Sequence, residues 1–303
     1  MPNAVITQLG YIGIGTPHIE SWRTFTDLLG AVVTDSDDGG LAVRIDSDRH
    51  ARLWVHPADV DGLLYAGWQV AGPAALDAVV SRLSERGVVV EHVDGDKTLR
   101  GVEELIRFHD PDGNPCEVYW GMASAMREQF ISPRGVEFAT GDLGAGHLTF
   151  GVRDFRSTLD FYTEALGMKV TEIADVGGAR VGFLRCNPRH HSVAFAELPS
   201  GRSRLMHLSI EVAQFDALGS IRDRLLNTGF PVGRDLGRHP TDGVISLYAN
   251  PSPAFEFELG WGSTLIDDET WETDRYERAG WSWGHREVTG GAATSLGTTE
   301  KTR

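Results

Sequence analysis

The 303-residue sequence predicts an α+β protein of four βαβββ modules paired into two domains, each a curved mixed sheet enclosing a cavity. Three observations predict this. First, the chain repeats itself. Gly10-Tyr11-Ile12-Gly13-Ile14 matches Gly146-His147-Leu148-Thr149-Phe150, and residues 64–71 match 206–213. Glu117-Val118-Tyr119-Trp120-Gly121 is paired with Glu256-Phe257-Glu258-Leu259-Gly260. Second, four stretches carry apolar residues at helical spacing. Third, the segments around His147, His207 and Glu258 alternate apolar and polar residues with the period of a half-buried strand. The chain length agrees with two domains.

The elements follow in order. Ile19, Trp22, Phe25 and Leu29 define the first helix, and Leu76, Val79, Val80 and Leu83 the second. Phe155, Leu159 and Tyr162 define the third, with Asp154 as its N-cap; Phe215, Leu218, Ile221 and Leu225 define the fourth. Each is followed by a glycine suited to a left-handed C-cap: Gly30, Gly87, Gly167 and Gly229. In the strand through His207, Leu208, Ile210 and Val212 share one face, and His207, Ser209 and Glu211 the other. Leu148, Phe150 and Val152 oppose His147 and Thr149 in the same way. Both Glu256 and Glu258 leave the apolar face of their strand. The expected domains are residues 1–135, 136–270 and a C-terminal extension, 271–303. Residues 122–145 read as the connection, and residues 289–303, rich in Gly, Ser and Thr, as disordered.

Composition excludes several functions. Lys plus Arg total 28 against 43 Asp plus Glu, a net charge of −15, which disfavours phosphate backbones and anionic membrane surfaces. No long apolar run suggests a membrane span, and Met1-Pro2-Asn3-Ala4 lacks the positive start of a signal peptide. Two cysteines, Cys116 and Cys186, fit small core residues in a reducing, cytoplasmic setting rather than a disulfide framework. The first half, with four of the eight tryptophans (Trp22, Trp54, Trp68 and Trp120), is a candidate interface; each of these rings could equally be core.

The difference between the repeats points to chemistry. Where the second half has His147, His207 and Glu258, the first is read as having Tyr11, Tyr65 and Tyr119. Two histidines and a carboxylate form the ligand set of a non-haem Fe(II) centre with open positions, and Mn(II) accepts the same set. The plainer reading is a pair of satisfied strand histidines. Glu256 rivals Glu258 as the carboxylate, but its apparent counterpart, Glu117, in the metal-free half favours Glu258.

The second half resembles the type I extradiol catechol dioxygenases of the vicinal oxygen chelate superfamily, particularly two-domain 2,3-dihydroxybiphenyl 1,2-dioxygenases and steroid-catechol enzymes. The resemblance rests on Gly146-His147, Cys186-Asn187-Pro188-Arg189-His190-His191, His207 to Val212, Leu236-Gly237-Arg238-His239, Ser246-Leu247-Tyr248 and Phe255 to Trp261. It reaches the first half through Leu9-Gly10-Tyr11, Arg44-Ile45-Asp46 and Asp110-Pro111-Asp112-Gly113. It implies Fe(II) on His147, His207 and Glu258. It further implies that His191 stabilises the oxygen-derived intermediate and moves protons, and that His239 and Tyr248 hydrogen-bond the catechol. Asp242 would support them, although Pro240-Thr241-Asp242 departs from the family's usual Thr-Asn-Asp. The resemblance also implies a substituted catechol and O2 as substrates, aromatic-compound degradation, and a homo-oligomer, often an octamer. The stretch from Thr171 to Phe183 is short for the family and is expected to border the pocket. His18, His50, His56, His92, His109 and His285 have no counterpart and read as ordinary. The rival functions are a glyoxalase-type lyase or transferase and a non-catalytic binding protein of the same fold.

Overall fold

The computed structural model describes residues 6–123, 129–176, 178–198, 204–277 and 282–288. The first module runs β1 (Ile6–Thr16), α1 (Ile19–Leu29), β2 (Val32–Asp35), β3 (Leu41–Arg44) and β4 (Leu53–Pro57). The second runs β5 (Gly62–Val70), α2 (Pro73–Glu85), β6 (Glu91–His92), a short α3 (Lys97–Arg100), β7 (Glu104–His109) and β8 (Pro115–Trp120). The third has β9 (His147–Val152), α4 (Phe155–Asp160), β10 (Lys169–Val176), β11 (Ala179–Arg185) and β12 (Val193–Glu197). The fourth has β13 (Arg204–Glu211), α5 (Phe215–Thr228), β14 (Val232–Arg238), β15 (Ile245–Ala249) and β16 (Glu256–Trp261). The βαβββ reading holds four times over.

Two sheets result. The first has the order β2-β3-β4-β1-β5-β8-β7-β6. The second, after β17 (Asp274–Glu277) and β18 (Trp283–Gly284) join it, has the order β17-β10-β11-β12-β9-β13-β16-β15-β14-β18. Within each, two modules meet along one antiparallel seam, β1 with β5 and β9 with β13, and each module closes with a parallel pair. The segment set apart at 271–303 is thus partly recruited to the second sheet. Its last fifteen positions, read as disordered, lie outside the described residues.

The helix ends follow their capping residues. Gly30 and Gly229 take left-handed φ of 88° and 70°, and Asp154 caps α4 by accepting from Ser157 N. The third helix departs from the expected regular spacing. After Asp160 it widens into a π turn over Phe161–Ala165, which turns Phe161, Tyr162 and Ala165 all inward.

One apolar core spans both halves. From α1, Phe25 packs edge-on against Phe257 at 4.7 Å and stacks on Phe230 at 5.3 Å; Trp22 lies 6.1 Å from Phe255. Trp22 and Trp68 are fully buried, so they are core residues, and only Trp54 and Trp120 of the four retain exposure. Cys116 and Cys186 are unpaired. No helix among the described residues is long and apolar enough to cross a membrane.

Candidate metal centre

Strand register aligns the site. His147 on β9 pairs with Ser209 on β13, Ser209 with Glu258 on β16, and Glu258 with Tyr248 on β15. Residues in one register row share a face, so this row points its side chains into the same space. His207 sits two positions along β13, on the same face, and pairs with Thr149. The small Ser209, buried between His147 and Glu258, leaves room for their side chains to meet. His147 Nε2 lies 3.2 Å from His207 Nε2 and 3.3 Å from Glu258 Oε2, and His207 Nε2 lies 3.5 Å from that oxygen.

Three near-equal separations between donor atoms describe one face of a coordination polyhedron. Two imidazole nitrogens facing each other at this range can share only one proton, whereas a cation would satisfy both lone pairs and the carboxylate together. The donor chemistry therefore fits a divalent first-row metal. Burial drives the pKa of His207 down to about 3, against the opposing pull of Glu258. Burial also raises the Glu258 pKa, but hydrogen bonds from His147 and His239 outweigh it and hold the carboxyl well below its usual range. His207 and Glu258 thus present themselves deprotonated, as metal ligands must be.

The remaining residues singled out in the sequence gather around this face. The His191 ring lies 4.0 Å from that of His147. His239 Nε2 is 2.8 Å from Tyr248 Oη and 3.0 Å from Glu258 Oε1. His191 stands just before β12 and His239 just after β14. Across a flat sheet five strand spacings would separate those strands by about 24 Å; the convergence of both rings on one cluster requires the sheet to curve. Buried Asp242 lies behind His191, with Oδ2 3.9 Å from His191 Nδ1. Its carboxylate accepts from Val244 N at 3.2 Å and Ser263 Oγ at 3.5 Å. Phe183, from the stretch expected to border the pocket, packs 5.1 Å from His191.

One histidine escaped the sequence reading. His285, taken as ordinary, is buried, lies 4.7 Å from the His239 ring and 5.5 Å from Tyr248, and accepts or donates at Ser246. Its φ of 48° is rare for a residue with a side chain and sets the ring against the site. The tail that carries it has no counterpart in the repeat, so no internal comparison could mark it.

The first half corrects the sequence alignment of the last strands. Gly67, the equivalent of Ser209, pairs with Glu117 rather than Tyr119. Glu117, not Tyr119, therefore holds the place of Glu258, and it is not the counterpart of Glu256. The first half keeps the carboxylate and changes both histidines, to Tyr11 and Tyr65. Its charge is met by guanidiniums: Arg107 Nη2 donates to Glu117 at 2.6 Å and Arg100 Nε at 3.2 Å, while Tyr11 Oη donates at 2.7 Å. Arg100 also lies 3.7 Å above the Tyr65 ring. Tyr11 stacks on Tyr119 at 4.9 Å, filling what would be the cavity. That filling depends on glycines: a Cβ on Gly67 would sit 2.2 Å from the Tyr11 ring. Gly67→Ala is expected to destabilise the fold by about 1–3 kcal/mol through overpacking, read as a lower thermal midpoint, with metal content per folded chain unchanged.

Residues 144–256 match the family profile described as Glyoxalase/Bleomycin resistance protein/Dioxygenase superfamily, and residues 9–58 match Dihydroxybiphenyl dioxygenase BphC D1. The chain is 36% identical over 298 residues to the biphenyl-2,3-diol 1,2-dioxygenase of Paraburkholderia xenovorans, covering 95% of this chain and 98% of that one. It is 35% identical to the iron-dependent extradiol dioxygenase of Rhodococcus jostii, covering 92% and 97%. A crystal structure of a catechol 2,3-dioxygenase superposes with a TM-score of 0.86 at 31% identity, covering 95% and 97%. The chain belongs to the extradiol ring-cleaving dioxygenases of this superfamily. It is accordingly an oxidoreductase that opens substituted catechols with O2.

Proposed function

We propose that the protein cleaves, beside its hydroxyl pair, a catechol carrying a bulky or aromatic substituent, 2,3-dihydroxybiphenyl-like or steroid-catechol-like, using Fe(II) held by His147, His207 and Glu258. The observation that carries this reading is the convergence of those three donors on one strand-borne face, with His191, His239 and Tyr248 around it. When bound, the iron supplies Lewis acidity that favours the deprotonated catechol and an open coordination face.

The chain's own residues do the rest. Burial, followed by the charge of neighbouring histidines, pushes the pKa of His191 well below its ordinary value, so it enters the cycle neutral and able to take a substrate proton. Burial and then the charge of Glu258 keep the Tyr248 hydroxyl protonated at working pH, so it donates a hydrogen bond without adding a rival charge. His239, bonded to both Tyr248 and Glu258, aligns that donor with the metal face. Asp242 anchors the loop between β14 and β15 behind His191.

Anaerobic loading with Fe(II), then addition of a catechol panel and air, tests the assignment. A yellow ring-fission product, formed fastest from catechols with large substituents, is expected. Colour only with Mn(II), or preference for unsubstituted catechol, would overturn the metal or substrate assignment respectively.

We further propose that residues 1–135 and 136–270 are two domains packed through their shared core, and that the protein works in the cytoplasm, where its two unpaired cysteines stay reduced. It assembles as a homo-oligomer, of the octameric type, chiefly through residues 1–121. Light scattering at micromolar concentration is expected to show an assembly; a fully active monomer would refute it.

A further inference from the structure

The tail beyond the repeat brings one side chain to the site that the mechanism above does not use. Residues 282–288 run antiparallel along β14. Ser282 N and Val288 N donate to the carbonyls of Arg238 and Gly233, and Asp235 N to that of Arg286, at 2.9–3.0 Å. An edge strand packed on one side normally turns its apolar residues inward. This one turns them out. Trp283 is 49% exposed, and the one fully buried side chain of the segment is His285. Burying a polar ring where an apolar one would anchor the tail costs free energy unless hydrogen bonds offset it.

The backbone is shaped to admit that ring. Among the described residues, His285 alone has a positive φ without being glycine. Such a conformation persists only where the surroundings over-determine it, and it gathers at functional sites. Two glycines meet that need here. Gly237 and Gly284 are register partners on β14 and β18. A Cβ on Gly237 would sit 2.4 Å from His285 Cγ, and one on Gly284, whose φ is 75°, would sit 2.2 Å from the Leu236 carbonyl oxygen. His285 N donates to that same carbonyl at 3.1 Å. Its Nε2 lies 3.1 Å from both the carbonyl oxygen and Oγ of Ser246. The residue is thus tied to β14 by its backbone and to β15 by its ring.

We propose that His285 is a positioning residue that backs the His239–Tyr248 pair, a role that rests on the reading of those two groups as the ones that hold the catechol. Its ring lies 4.7 Å from that of His239, tilted by 48°, and 5.5 Å from that of Tyr248, at 69°. His239 stands beyond the end of β14 and before Pro240, where no strand fixes the direction of its side chain. Its Nε2 edge meets Tyr248 Oη and Glu258 Oε1; His285 packs against the ring itself. Tyr248 has the Arg234 guanidinium 3.9 Å above its face and the His207 ring at 5.6 Å, and His285 closes a further side. Without the His285 ring, the pair keeps its mutual hydrogen bond but loses the wall that aligns it. A misplacement of about 1 Å at a reacting centre costs roughly 10²-fold in rate.

The test uses His285→Gly, because glycine accepts the same φ without strain and so removes the ring while sparing the backbone. Steady-state kinetics and metal analysis of the Fe(II)-loaded protein are read beside cross-relaxation between the His239 and Tyr248 ring protons in the diamagnetic Zn(II)-loaded protein. The variant is expected to lower kcat about 10- to 100-fold, the range for residues that orient groups at a metal centre, with KM and iron content near wild type. Cross-relaxation between the two rings should weaken. A wild-type kcat in the iron-loaded variant would overturn the proposal, as would a fall in kcat that only follows lost iron, or one with the contact between the two rings unchanged. If His285→Gly does not fold, His285→Asn serves, since asparagine also tolerates a positive φ and brings no ring: the same loss is expected, and a wild-type kcat would again overturn the proposal. A wild-type protein without ring cleavage would refute the functional reading alone, because the ring contact is measured without turnover.

Discussion

Glu258→Ala is expected to abolish iron binding and reduce ring cleavage to the level of metal-free protein, while the chain still folds. The same change at the equivalent position of the first half, Glu117→Ala, is expected to do the reverse. Removing Glu258 deletes one of three converging donors and leaves His147 and His207, the latter already kept neutral by burial. Removing Glu117 leaves Arg100, almost completely buried, without its carboxylate and Arg107 without one of its two. Breaking a buried ion pair from one side costs roughly 3–5 kcal/mol. Metal analysis and thermal unfolding of the two variants therefore give opposite patterns: Glu258→Ala loses iron with little change in metal-free stability, and Glu117→Ala loses stability but keeps iron in whatever remains folded. Equal iron content in wild type and Glu258→Ala would remove Glu258 from the ligand set. His147→Ala and His207→Ala should behave as Glu258→Ala does.

His191→Gln is expected to retain iron and anaerobic catechol binding but to lower kcat about 10²- to 10⁴-fold, the usual contribution of a general acid–base group. Glutamine preserves volume and one hydrogen-bonding edge, so the packing against His147 and Phe183 should survive. Proton transfer would not. The neighbouring His190 provides the control, since its Nε2 faces Glu172 on β10, at 3.5 Å. Its replacement by glutamine should cost less than that of His191. Iron loss in His191→Gln, or a larger kinetic defect at position 190, would shift the acid–base role away from His191.

Much of this architecture was legible in the residues. The four helices declared themselves by apolar spacing and terminal glycines, and the candidate ligands by strict alternation in strands whose partners repeat elsewhere in the chain. The carboxylate register was not legible. Glu256-Phe257-Glu258 places two glutamates on the same face, so a shift of two residues preserves the alternation and slides Glu117 onto the wrong partner. Only the pairing of Gly67 with Glu117, set beside that of Ser209 with Glu258, decides it. The π turn after Asp160 was hidden because helical periodicity assumes regular winding. His285 lies in a tail that the repeat does not contain.

The packing of Trp22 and Phe25 on Phe255 and Phe257 has a bearing on how such enzymes can be recombined. Phe257 immediately precedes Glu258, and the two project from opposite faces of the same strand. The apolar ridge of α1, supplied by the first half, is therefore the back wall of the strand that carries Glu258. Chimaeras that exchange the two halves between related enzymes inherit a seam at this ridge, and those in which the incoming α1 lacks an aromatic pair should show loosened metal retention before any altered substrate choice.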